Sequence, residues 1–207
     1  MPTPKANPDG DSARRILAAA ERAFAEQGLA GARTDRIASA AGVNKALLYY
    51  YFGSKERLYT AVLQSHFNPL MEVVRKSLDG KARPRAKLLR YVESYFEFLH
   101  QRRHYPRLLQ REMVSGGREL GDMVQRYFRP AYRRLVRVVE EGIQRREFRK
   151  VDVRNAVLTL IAVTVFYFGA APLLRRVLGR DAYTPKSVAR RKAAVFDFIE
   201  HGLFRRA

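Results

Sequence analysis

Residues 34–58 read TDRIASAAGVNKALLYYYFGSKERL, and this stretch decides the fold. Two short apolar-periodic segments flank Gly42, and the second ends in Tyr49, Tyr50, Tyr51 and Phe52. Thr34 stands where a side-chain oxygen caps a helix carrying Ile37, Ala38 and Ala41 on one face. Asn44 stands in the same place before a helix ending near Phe52-Gly53, and Ser54 before a third. Two short helices joined through a tight glycine turn form a helix-turn-helix, whose second helix enters the DNA major groove with its first residues at the base edges. On a helical wheel Leu48 and Phe52 share with Val43 the side that faces neighbouring helices. Lys45 pairs with Tyr49, and Ala46 with Tyr50, on the opposite side. Phenol hydroxyls donate to phosphate oxygens and lysine adds charge, so that outer face fits a DNA backbone. Tyrosine clusters on short helices are more often packing than recognition. Here Val43, Leu48 and Phe52 already fill the inner face, and Tyr51 is expected to lie against helix 1 or helix 4.

Outward from this stretch almost everything reads as helix, with no period-2 alternation and no hairpin turn. The spacing of Ile16, Leu17, Ala20 and Phe24 predicts a first helix over 11–27 that stops at Gly28. A long helix follows Ser54 to about Leu78, and further helices are expected over 84–101 and 106–114. Another is expected from the break at 115–117 to about Arg146, kinked at Pro130. Asp152 caps a helix over 153–178 ending at Gly179. Thr184-Pro185 opens a last helix over 186–204. The polar, Pro-rich residues 1–10 read as a flexible arm without the apolar core of a signal peptide, which points to a cytoplasmic protein.

The chain has 207 residues and a net charge of +20, from 40 basic and 20 acidic residues. Residues 1–60 hold 9 basic and 6 acidic residues, against 31 and 14 in the remainder. Such a chain is drawn to polyanions, although arginine-rich codon usage produces the same excess as a generic solvated surface. Cysteine is absent, which excludes disulfides and thiolate metal sites. His100 and His104 are four apart but have no third ligand spaced for a metal, and no phosphate loop, GxSxG or paired-carboxylate pattern appears. No enzymatic chemistry and no cofactor are expected.

Residues 14–58 resemble the DNA-binding domain of the tetracycline-repressor (TetR) family of bacterial transcriptional regulators. The likeness rests on Ile16, Ala20, Phe24, Gly28, Thr34, Ile37, Ala38, Ala41, Gly42, Val43, the LYYYF run at 48–52, Lys55 and Leu58. It implies an all-α protein in which a three-helix DNA-binding domain, 11–58, is joined by a long helix to a helical ligand-binding and dimerisation domain, 59–207. It also implies a homodimeric repressor released from a palindromic operator by a small molecule. By this resemblance Thr34, Tyr49 and Lys55 hold phosphates, while Lys45, Ala46, Leu47 and Tyr50 face bases beside the helix start at Asn44. The family often has glycine at the position of Ala46, and threonine or serine at that of Leu47. Leu47 has no hydrogen-bonding group and at most touches a thymine methyl, which shifts weight to shape readout.

Beyond residue 60 the resemblance is one of architecture. Phe67, Met71, Tyr91, Tyr95, Phe98, Met113, Tyr127 and Phe128 recur at helical spacing and form either core or the lining of a pocket for an apolar or amphipathic effector. Residues 155–174 are uncharged, long enough to span a membrane but interrupted by Asn155, two threonines and Pro172. The expected reading is a helix buried by its own domain and a second subunit. In the resembling family the last two long helices build a four-helix dimer interface, which places Leu158, Ala162, Val165, Phe166, Val195 and Ile199 there. A basic architectural protein that coats DNA without sequence choice is the alternative reading, and a membrane-associated basic protein is the third.

Overall fold

The computed structural model describes residues 8–115 and 118–205; positions 1–7 of the expected arm and Gly116-Gly117 of the expected break lie outside the described residues. The helices are α1 (Pro8–Gly31), α2 (Thr34–Ala40), α3 (Lys45–Phe52), α4 (Lys55–Leu78), α5 (Pro84–Gln101), α6 (Tyr105–Ser115), α7 (Arg118–Met123), α8 (Arg129–Gln144), α9 (Val153–Gly169), α10 (Ala171–Leu178) and α11 (Pro185–Gly202). Among the described residues the only β-type pairing is an isolated bridge between Phe148 and Phe204. Ile16, Ala20 and Phe24 of α1 are fully buried, as are Leu48 of α3 and Leu58 of α4, so one small core unites the first helices. α4 then runs on to pack along α5 in the body.

Where the sequence supplies a short polar side chain before an apolar run, four of the five expected caps form. Asn44 accepts from the Leu47 amide at 2.7 Å, Ser54 from the Arg57 amide at 3.1 Å and Asp152 from the Asn155 amide at 3.0 Å. Thr184 likewise accepts from the Ser187 amide at 3.2 Å before Pro185. The exception is Thr34, which is the first residue of α2 and buried; Arg33 takes the cap position with no side-chain bond. Gly42 closes α2 at φ 65°, with the Gly42 amide on the Ser39 carbonyl and the Val43 amide on the Ala38 carbonyl, both at 3.0 Å. That pair of bonds is a Schellman ending, which requires a left-handed residue and so selects glycine.

Three expected helices differ from those formed. α1 begins at Pro8 rather than at 11, and extends to Gly31 through a non-helical Gly28 at φ 71°. The expected kink at Pro130 is a π-helical turn over Val124–Phe128, with the Arg129 amide bonded to the Val124 carbonyl. Pro130 crowds the carbonyl four residues back, Arg126, and a wider turn at that point relieves the crowding. The single helix expected over 153–178 is two, α9 and α10, bent by 72°. Pro172 cannot donate to the Phe168 carbonyl, and the Tyr183 hydroxyl donates to that carbonyl instead, at 3.5 Å. Among the described residues no single helix is long and apolar enough to cross a membrane.

Candidate nucleic-acid interface

α3 is held between two left-handed glycines, Gly42 and Gly53, and the Gly53 amide closes it on the Tyr49 carbonyl at 2.7 Å. Leu48 anchors it inward, with Val43, Tyr51 and Phe52 partly buried against the same core. The side chains of Asn44, Lys45, Ala46, Tyr49 and Tyr50 face outward and Leu47 is half-buried. Tyr50 is 79% exposed, an unusual position for an aromatic ring without a partner, and its only ring contact among the described residues is edge-on to Tyr51 at 5.3 Å.

Thr34, Tyr49 and Lys55 come from three different helices and line one concavity of about 490 Å³ together with Arg33, Asp35 and Ser54. The Thr34 hydroxyl and the Tyr49 phenol stand 3.3 Å apart. The Lys55 ammonium donates to the Ala32 carbonyl at 3.1 Å and the Ala30 carbonyl at 3.4 Å, which neutralises the end of α1 and fixes the lysine at the rim. An anion entering this concavity meets the Thr34 and Tyr49 hydroxyls, the Lys55 ammonium and the Arg33 side chain, beside the Asp35 and Glu56 carboxylates that also line it. Lys45 is tied differently: its ammonium lies 2.8 Å from Asp35 of α2, with Arg33 on the same carboxylate at 3.3 Å. The hydrogen bond from Lys45 holds the Asp35 carboxyl below its ordinary value, and the same contact raises Lys45. Sequence reasoning missed Asp35 and Arg33, because nothing in the spacing of 35 and 45 shows that neighbouring helices bring them together.

The body meets this head through α6. The Arg111 guanidinium donates to the Ala25 carbonyl at 3.0 Å and to the Glu26 carbonyl, at the end of the straight part of α1, and its tip packs against Gly28. The next residue, Glu112, is buried and accepts from the Tyr59 hydroxyl of α4. Glu21 of α1 faces His66 of α4 at 3.4 Å. Burial works against ionisation of Glu21, but the contact with His66 and the charges of His66, His104 and Arg102 outweigh it and leave the carboxyl below its ordinary value.

The expected effector residues are only partly brought together. Phe67, Tyr91, Tyr95, Phe98 and Tyr127 are buried and pack against one another and against Tyr105, with Phe67 stacked on Tyr127 at 5.1 Å and Phe98 edge-on to Tyr105 at 5.2 Å. Burial pushes the Tyr91, Tyr95 and Tyr105 phenols up. Phe128 is half-buried against Phe67. Met71 and Phe98 line a surface groove of about 1120 Å³ with Val73, Phe96, Glu97 and Arg102. Met113 is 64% exposed, on the outward side of the α6 wheel, and does not belong to this set. The expected dimer residues also divide. Leu158, Ala162 and Phe166 form an exposed apolar face on α9, with Val165 half-buried beside it, and Phe166 is 63% exposed. Val195 and Ile199 are buried in the chain's own core; the outward side of α11, one position along the wheel, carries Phe198, 54% exposed.

A capped recognition helix on a three-helix head, carried by one long helix into a helical body, defines a helix-turn-helix transcriptional regulator. Residues 16–62 match the bacterial regulatory proteins of the tetR family, and residues 84–199 match the tetracyclin repressor-like C-terminal domain. The chain belongs to the tetR family and is a DNA-binding transcriptional regulator. It is 34% identical over 173 residues to the HTH-type transcriptional repressor SCO4008 of Streptomyces coelicolor, covering 82% of this chain and 85% of that protein. It is 37% identical over 102 residues to the HTH-type transcriptional activator FasR of Mycolicibacterium smegmatis, a match to 49% of this chain and 47% of that protein. The structure of the transcriptional regulator SCO4942 from S. coelicolor superposes with a TM-score of 0.70 at 28% identity, covering 93% of this chain and 98% of that one.

Proposed function

We propose that two copies of this chain bind a palindromic operator in the cytoplasm as a repressor, and that a small apolar or amphipathic effector releases them. The observation that carries DNA recognition is the outer face of α3, where Lys45, Ala46, Tyr49 and Tyr50 are exposed while Leu48 is sealed inside. In this reading the Thr34–Tyr49–Lys55 concavity holds a backbone phosphate and positions the helix. Lys45 exchanges Asp35 for a base edge, and Tyr50 lies flat on the groove wall. Leu158, Ala162 and Phe166 of α9 meet Phe198 of α11 across the two-fold axis, which places two α3 helices on successive major-groove faces. Helix α6 is the route from effector to head, because consecutive residues Arg111 and Glu112 hold α1 and α4. An effector entering beside Met71 and Phe98 and displacing the Tyr105 end of α6 alters both holds at once.

The test is selection of bound duplexes from a random library with the purified full chain. The expected result is a palindrome with half-sites about one helical turn apart, 10–10.5 base pairs, or a multiple of that. Enrichment without a common sequence would favour an architectural DNA-coating role instead.

A further inference from the structure

The end of the body away from α3 carries a second basic groove. Helix α4 is 24 residues long, so its far end lies about 36 Å from the head at 1.5 Å per residue. There the start of α5, the loop after α8 and Arg205, beyond α11, border a groove of about 790 Å³, within the size range of small-molecule sites. Arg83, Arg85, Arg146 and Arg205 line it over a floor of Ala86 and Leu89, and Glu147 is its one carboxylate.

That carboxylate is already matched. Glu147 accepts from the Arg83 side chain at 2.9 Å and from the Arg85 amide at 3.1 Å, which leaves it below its ordinary pKa despite burial working the other way. The guanidiniums are held in place by the fold. Arg85 lies over the Phe204 ring at 4.6 Å and reaches Glu200 at 3.5 Å. The Arg205 amide is fixed to the Glu147 carbonyl at 2.9 Å, beside the stacked Phe148 and Phe204 rings. The side chains of Arg146 and Arg205 have no hydrogen-bond or ion-pair partner among the described residues.

Arg146 carries a second, independent sign. It is the only non-glycine with positive φ among the described residues, at 59°, just past the end of α8. Glycine is the residue that this left-handed position selects, because a Cβ there crowds the carbonyl that follows and carries a cost in stability. The chain places a guanidinium without a partner among the described residues at the rim of an arginine groove at that cost.

We propose that this groove binds a small molecule carrying clustered phosphates, with Arg146 and Arg205 as the free forks and Arg83 and Arg85 as the preset wall. Guanidinium forks match phosphate oxygens two at a time, and the Ala86–Leu89 floor accommodates an attached apolar or ring portion. A groove this short and concave suits a compact polyanion better than the extended backbone of a duplex.

The test is calorimetric titration of the full chain with inorganic tripolyphosphate, with sulfate at equal ionic strength as the control. The expected result is saturable binding of one molecule per chain, absent with sulfate. Arg146→Gly is expected to weaken it about tenfold or more, since each charge-assisted contact is worth that much, while its melting temperature stays equal or rises. Arg205→Ala is expected to weaken it likewise. Three results would overturn the proposal. One is the same heat from sulfate; another is wild-type affinity in both variants, which would put the anion on the DNA-binding head. The third is displacement of tripolyphosphate by short random duplex from the body of a Lys45→Ala chain, which would make the groove a nucleic-acid surface.

Discussion

The Lys45 ammonium lies 2.8 Å from the Asp35 carboxylate, so the cation on the recognition helix is held by the helix before it. Both groups are exposed, and the bond is one that a DNA base edge or phosphate can replace. Lys45→Ala is expected to cost about 1–3 kcal/mol of operator affinity and to relax specificity at one position per half-site. Asp35→Asn is expected to tighten binding to all duplexes, because it removes a negative charge facing the phosphates and frees the lysine. Fluorescence anisotropy on operator and scrambled duplex reads both effects. Unchanged affinity in the two variants would remove Lys45 from the interface.

Thr34 and Tyr49 bring two hydroxyls within 3.3 Å of each other at the proposed phosphate seat. Tyr49→Phe keeps the ring and removes one donor. It is expected to weaken DNA binding by about 0.5–1.5 kcal/mol, while the melting temperature stays within a degree or two because the lost internal bond is part-exposed. A drop in stability with no loss of affinity would make the pair a helix-to-helix tie only.

How far the sequence carried this site is visible in the same residues. The glycine turn, the Asn44 and Ser54 caps and the inward Leu48 are local features, written in residue type and spacing, and they form as the sequence implies. Thr34 does not cap its own helix: its hydroxyl meets that of Tyr49, fifteen residues away. Contacts between elements are where spacing falls silent. Nothing local announces that Asp35 meets Lys45 or that Arg111 reaches the end of α1. On α11 the periodicity shows an apolar helix but not which of two apolar stripes turns outward: Val195 and Ile199 are buried in the chain's own core, and Phe198 takes the exposed place.

That difference gives a contrast on one helix. Ala162→Arg on α9 or Phe198→Arg on α11 is expected to yield a monomer or an aggregate, because a two-fold interface repeats each introduced charge. Ile199→Ala is expected to cost about 2–5 kcal/mol of stability as a core truncation and to leave the dimer intact. Multi-angle light scattering and thermal melting separate the two. A monomeric wild type at micromolar concentration would contradict the proposed assembly.

Glu21 gives a pH signature for the joint between head and body. Its carboxyl is depressed in the folded chain by His66, His104 and Arg102 against the opposing effect of burial. A depressed carboxyl stabilises the fold above its unfolded value, about 4.3, and that contribution is lost as pH falls through the lower folded value. Melting curves between pH 6 and pH 3 are expected to fall for the wild type, with a smaller acid loss in Glu21→Gln. Parallel curves would show that Glu21 contributes nothing to the joint.

The central claim is that recognition is confined to the head, although most of the excess charge sits on the body. Screening at physiological salt acts over about 8 Å, so arginines at the far end of a 24-residue α4 are out of electrostatic reach of the duplex. The direct measurement is a salt titration of binding to the selected palindrome and to random duplex, side by side. The slope of log affinity against log salt, about 0.9 per phosphate neutralised, is expected to match only the few contacts around Thr34, Tyr49 and Lys55 in each half-site. The palindrome is expected to bind on the order of a thousandfold more tightly than random sequence at physiological salt. A steep slope shared by both duplexes, with little difference in affinity between them, would contradict the claim and make the basic body the DNA-binding surface.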